Sequence, residues 1–252
     1  MNRLLLTAAV AASAAAMAPA AANAAGGALS VSPAIVEHTA ARGATTPVTV
    51  VNSTNAPLKI TVTPRPWAQS RSTGAVVPDR HRTLLSRLKV SARTFTLAPG
   101  GRRTVTVTVR SVPKSGSIYG AVETVGLPTG KAKKRGITAA YRLIGSLRLN
   151  PAASRRHLTV HASSLRRKGS ALRLPVKNTG NTIGAVTGDV RITGARGTRA
   201  ATVRATSIVP GATVDLPLGS TTGLPKGTYT VSVVLVKQGR TVLRSKRTLR
   251  VR

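Results

Sequence analysis

Cysteine is absent from the 252-residue chain, and carboxylates are scarce: five Asp and Glu stand against 39 Lys and Arg, a formal net charge of +34. The first absence excludes disulfides, cysteine-based zinc sites, thiol chemistry and a lipid anchor on cysteine. A domain exported without disulfides must rely on packing alone. The second leaves little for acid–base catalysis, since Glu37, Asp79, Glu123, Asp189 and Asp215 are scattered, with no two close in sequence. Aromatics are equally few. Trp67, Phe95, Tyr119, Tyr141 and Tyr229 are single and widely spaced, so they read as core landmarks and supply no stacking set for single-stranded nucleic acid. Beyond the N-terminal segment no run is long and apolar enough to span a bilayer. No G-x-S-x-G elbow and no Gly-rich phosphate loop occurs. These gaps argue against an enzyme, and neither a cofactor nor a metal is expected.

The chain opens with Arg3, then "LLLTAAVAASAAAMAPAAANA", with Ala22-Asn23-Ala24 before Ala25. One early cation, a short apolar stretch and an A-x-A site are the marks of a secretory signal peptide, assigned to residues 1–24. The mature protein is therefore expected to be secreted, extracellular or associated with the cell wall.

Alternation dominates the remainder of the chain. In "RRTVTVTV" from Arg102, Val105, Val107 and Val109 point to one face of a strand and Thr104, Thr106 and Thr108 to the other. "GTYTVSVVLV", 227–236, repeats the pattern with Tyr229, Val231, Val233 and Leu235. "GITAAYRLIGSLRLN", 136–150, puts Ile137, Ala139, Tyr141, Leu143, Leu147 and Leu149 on one side, and Thr138, Arg142, Ser146 and Arg148 on the other. Turn signals such as "NSTN", "PGG", "NTGN", "VPG" and "LPKG" separate these runs. The pattern predicts an all-β fold of two immunoglobulin-like antiparallel β-sandwich domains in tandem. An internal echo supports two units. "VVNSTN" at 50–55 and "VKNTGN" at 176–181 share V-x-N-[ST]-x-N, and each precedes a Pro-Gly turn and an alternating strand. With alternation stopping at "NPAASRR", 150–156, the expected domains are 28–150 and 156–252.

Three local motifs invite a chemical reading. His157 and His161 in "HLTVH" lie in a strand-like stretch, which would separate the rings by about 13 Å at ~3.3 Å per residue; they read as exposed histidines. "LPTGK", 127–131, lacks one residue of a sortase signal and reads as a loop. "GSIYG", 116–120, reads as a close-packed strand entry. The basic clusters remain: Arg102 and Arg103; Lys131, Lys133, Lys134 and Arg135; Arg155 and Arg156; Arg166, Arg167 and Lys168; and Arg244, Lys246 and Arg247 in the last strand. Cations on strands also guard sheet edges. As a site, all but Arg155 and Arg156 of these are the candidates for a salt-sensitive polyanion surface. The export signal favours peptidoglycan or an anionic wall polymer as partner over nucleic acid.

The stretches "SVSPAIVEHTAARGATTPVTVVNSTNAPLKITVTPRPW", 30–67, and "LSRLKVSARTFTLAPGGRRTVTVTVRSVPKSGSIYGAVETVG", 85–126, resemble the first domain of WxL-interacting cell-surface proteins of Gram-positive bacteria. "S-x-Y-G-A-V" from Ser117, followed by "YRLIGSLRL", carries most of the likeness, and the second half resembles the second immunoglobulin-like domain of that family. The resemblance implies peptidoglycan binding by the first domain and contact with a surface protein by the second. Members commonly end in a transmembrane helix, whereas this sequence ends at "LRVR" on a strand; noncovalent retention through the basic surface is the expectation. The first domain is also similar to periplasmic pilus chaperones. That likeness implies an alternative function: strand addition to secreted β-rich client subunits, with a cationic pair in the interdomain cleft holding a client carboxylate. "ALSVSPAIVEHTA", 28–40, has no Arg or Lys to supply half of that pair, and Arg135 stands just before the alternating strand that would supply the other half.

Overall fold

The computed structural model describes residues 28–129 and 140–252. The segment read as a signal peptide, the cluster Lys131, Lys133, Lys134 and Arg135, and Ile137, Thr138 and Ala139 of the expected strand lie outside the described residues.

The first sandwich is built from β1 (Leu29–Ser32), β2 (Ile35–Thr39), β3 (Thr45–Asn52), β4 (Leu58–Gln69), β5 (Val76–Pro78), β6 (Leu88–Val90), β7 (Thr94–Leu97), β8 (Arg102–Val109), β9 (Ile118–Pro128) and β10 (Tyr141–Asn150). One sheet has the order β1-β3-β8-β6, and the other runs β2-β10-β9-β4-β5, with β7 also on β4. The chain crosses between them early: β1 pairs antiparallel with β3 in one sheet, and β2 pairs parallel with β10 in the other. Alternation sets the core. Val105, Val107 and Val109 of β8 point inward against Leu58, Ile60 and Val62 of β4, and Leu147 and Leu149 of β10. Thr104, Thr106 and Thr108 take the opposite face, with Thr104 bonding Thr49 across the sheet at 2.9 Å.

The second sandwich comprises β11 (Val160–Ala162), β12 (Arg166–Lys168), β13 (Ala171–Asn178), β14 (Gly184–Gly194), β15 (Gly197–Ile208), β16 (Thr213–Ser220), β17 (Gly227–Lys237) and β18 (Arg240–Val251). One sheet places β11, β12 and β16 on β13, and the other has the order β15-β14-β17-β18. Leu172, Leu174 and Val176 meet Val231, Val233 and Leu235 in a separate core. Pro151–Thr159, with a short 3-10 turn at Ala153–Arg155, connect the two sandwiches.

Two features differ from the sequence reading. Phe95 and Tyr229 are buried as core landmarks, but Trp67 and Tyr119 line the space between the sandwiches. "LPTGK" is not all loop, since Leu127 and Pro128 still pair with Lys59 and Leu58 as the end of β9. The strand β4 also outruns its sheet: Trp67–Gln69 pair only with β5, so the β4–β5 hairpin projects toward the second sandwich. Gly120 of "GSIYG" is a tight packing point, because a Cβ there would collide with the carbonyl oxygen of Arg65.

Candidate functional site: the cleft between the sandwiches

Strand β10 presents Tyr141, Leu143, Leu147 and Leu149 to the core. Its other face, with Arg142, Ile144, Ser146, Arg148 and Asn150, forms the cleft floor together with Tyr119 and Glu123 of β9 and Arg65 and Trp67 of β4. The floor is electrostatically organised. The carboxylate of Glu123, with a side chain only 8% exposed, accepts from Arg142 Nε at 2.6 Å and from Arg65 Nε. Burial pushes this carboxyl up, but the hydrogen bonds and charges of Arg142 and Arg65 outweigh that and hold it below the ordinary glutamate value. Arg65 Nη1 also donates to the carbonyls of Asp79, Arg80 and Arg82, tying down the loop after β5. The Asp79 carboxyl is held low by the backbone N–H groups of His81 and Arg82. Further along the floor, the Tyr119 hydroxyl donates to Asn150 Oδ1 at 2.7 Å, and Asn150 Nδ2 donates to Glu37 at 3.0 Å. Arg148 faces Glu37 at 3.7 Å, and both are about half exposed, so this pair contributes little to stability.

The roof comes from the second sandwich. Trp67, Tyr119, Arg148 and Asn150 enclose a cavity of about 320 Å³ with Ile183, Ser207 and Val209. The β4–β5 hairpin fixes the approach. The Gln69 side-chain amide donates to Ser207 O at 2.7 Å and accepts from Val209 N–H at 2.9 Å. Two residues on, Arg71 O accepts from Asp215 N–H at 2.8 Å, and Arg71 Nε meets the Asp215 carboxylate at 2.8 Å.

The edge of β10 is only half used. Pairing with β2 runs from Ser146 to Asn150, and Tyr141–Gly145 have no partner on that side among the described residues. Ser146 N–H donates to Ala34 O on this edge at 2.7 Å. Strand alternation therefore turns the N–H and C=O of Arg142 and Ile144 toward the same unpaired edge. The Ile144 side chain is 44% exposed, and Ile35, in register with Ser146, is 53% exposed. Sequence reasoning missed Ile144 as well as Arg65. The signal for Ile144 was there: it is an apolar residue on the polar side of an alternating strand.

The sequence-predicted cations fall on three different sheets. Arg102 and Arg103 open β8, where Arg103 lies over the Phe95 ring at 4.9 Å and closes the end of the core. Arg166, Arg167 and Lys168 form the edge strand β12. Arg244, Lys246 and Arg247 lie on β18, with Arg247 donating to Ala162 O at 3.3 Å. Among the described residues, the structure brings only the β12 group of these cations to the seam between the sandwiches. Both His157 and His161 are exposed. Of the five carboxylates, scattered in the sequence, Glu37, Glu123 and Asp215 each meet an arginine at the cleft or its seam.

Tandem immunoglobulin-like sandwiches about a cleft define a class of fold that solved structures share. A chain of the chaperone–tip adhesin complex of CFA/I fimbriae biogenesis is similar over 87% of this chain and 98% of its own, with a TM-score of 0.54 at 14% identity. The class 5 fimbriae chaperone CfaA is similar over 87% and 98% of the two chains, with a TM-score of 0.51 at 13% identity. At such identity the likeness is one of fold. No family model and no curated protein matches the chain, and the resemblance to WxL-interacting proteins gains no support from these comparisons.

Proposed function

We propose that this protein is an exported, non-catalytic binding protein that holds a β-rich client by strand addition along β10, in the manner of a fimbrial chaperone. The observation that carries this reading is the unpaired edge at Tyr141–Gly145, flanked by the exposed Ile144 and Ile35. An extended client segment would take the N–H and C=O groups of Arg142 and Ile144 and continue the sheet. Its apolar side chains would meet Ile144 and Ile35, and an anionic client group would meet Arg142 or Arg148, each nearly half exposed. The likeness in fold to fimbrial chaperones supports this reading over peptidoglycan or wall-polymer capture.

The test is copurification of the tagged mature protein from its native cell envelope, wild type against Ile144→Pro. Proline removes an N–H that faces the unpaired edge and none that bonds β9. The expected result is one secreted β-rich protein recovered in equal amount with the wild type and reduced at least about tenfold with the variant. Cosedimentation with purified walls in the absence of any client, unchanged in Ile144→Pro, would overturn the reading in favour of wall binding.

A further inference from the structure

The turn of the β4–β5 hairpin rests on the outer face of the sheet that contains β13. Arg173, half-buried on β13, donates to the Ser72 carbonyl at 2.9 Å. Beside this contact is a cavity of about 310 Å³ lined by Ser72, Arg166, Arg167, Lys168, Arg173 and Asp215. The antiparallel register sets Arg166 directly opposite Arg173. Like charges in that position repel. Lys168, two residues further along β12, shares their face. Asp215 is the one carboxylate in the lining, and its Oδ1 already accepts from Arg71 Nε at 2.8 Å, so one negative charge is shared among more cations than it can balance.

Edge protection accounts for cations on β12. It does not account for Arg173 on the inner strand, which lines the same cavity while its Nη1 donates to the Ser72 carbonyl. A tetrahedral oxyanion accounts for both, since guanidinium groups offer planar sets of donors to its oxygens and the added negative charge removes the repulsion. We propose that this cavity binds a phosphate-type oxyanion, held by Arg166, Lys168 and Arg173. Because Ser72 belongs to the first sandwich and the cations to the second, the bound anion would also tighten the seam between them. This inference does not depend on the client-binding reading.

The test titrates the full mature chain with pyrophosphate and, separately, with a glycerol-phosphodiester oligomer, at constant ionic strength set with sodium chloride. Binding is followed by calorimetry. The variants are Arg166→Gln/Lys168→Gln, and Arg244→Gln/Lys246→Gln as an equal loss of charge on β18. Thermal unfolding in chloride alone checks that each variant is folded. Saturable binding of one or both probes to the wild type and the β18 variant, weakened about tenfold or more in the β12 variant, is the expected result. Pyrophosphate binding alone identifies a free anion as the ligand; competition between the two probes identifies a phosphodiester polymer. No saturable binding to the wild type, or equal weakening in both variants, overturns the proposal. Arg173→Lys keeps the charge without the planar fork and is expected to bind more weakly than wild type; unchanged binding would remove Arg173 from the site.

Discussion

At the end of β3 the Asn52 amide reaches the carbonyls of Ala56, Leu97 and Ala98, whereas at the end of β13 the Asn178 amide reaches only those of Thr182 and Ile208. The frames are otherwise alike. Both asparagines are fully buried. Each carbonyl accepts from a glycine of the next Pro-Gly turn, Gly100 or Gly211, at 2.8 Å. Those glycines have φ of 72° and 82°, a backbone conformation costly for other residues. The difference lies in what surrounds the turn. The first corner is closed within its own sandwich: Asn52 Oδ1 takes both the N–H and the hydroxyl of Thr54. At the second corner, Ser207 O and Val209 N–H, on either side of Ile208, are engaged by Gln69 from the other sandwich. One device stabilises a corner in the first unit, and in the second it also holds the backbone against which its neighbour docks.

The largest effect should come from removing the asparagines. Asn52→Ala strands more buried partners than Asn178→Ala, so it should cost roughly 3–5 kcal/mol against about 2–4 kcal/mol, given about 1–3 kcal/mol per unsatisfied group. Urea denaturation of both variants gives the ranking. Equal losses would mean that the extra bonds at Asn52 carry no weight.

A smaller difference separates the two units in acid. Glu123 is held below its ordinary value in the folded first sandwich. Its stabilisation is therefore full above the unfolded glutamate value of about 4.3, declines as pH falls through it, and is gone below the folded value. Calorimetry from pH 6 to pH 3 should show the first sandwich losing stability more steeply than the second, and Glu123→Gln should flatten that slope. A slope unchanged in the variant would assign the acid sensitivity elsewhere.

The smallest expected change in stability concerns the seam. Gln69→Ala removes two hydrogen bonds across the seam, one of them exposed, and a third to the Gly74 carbonyl within its own hairpin, and should cost about 1–2 kcal/mol. Its clearer readout is scattering in solution, where the variant should have a larger radius of gyration than the wild type. Unaltered scattering would mean that Arg71, Ser72 and their partners hold the seam without Gln69.

Much of the fold was legible in the residues. The Thr–Val alternation of β8 and the run from Tyr229 to Leu235 in β17 each predicted a half-buried strand, because a strand's side chains alternate between faces. The repeated V-x-N-[ST]-x-N marked the two corners, although nothing local showed that the asparagine itself is the buried part. The site was much less legible. Trp67 and Tyr119 read as core because aromatic side chains bury well; both are half-buried and line the cleft that the second sandwich closes. Glu123 lies 58 residues from Arg65 in the chain, and Asp215 lies 144 residues from Arg71, so no spacing rule connects either pair.

By itself, then, the sequence determined the local matters: which residues alternate and where the chain turns, both consequences of side-chain chemistry and strand geometry over short stretches. Only the tertiary structure decided which edge of β10 stays unpaired, which arginines are neutralised, and where Arg166 meets Arg173. Those outcomes depend on strand order and on the docking of one sandwich against the other, and both are set by contacts between residues far apart in the chain.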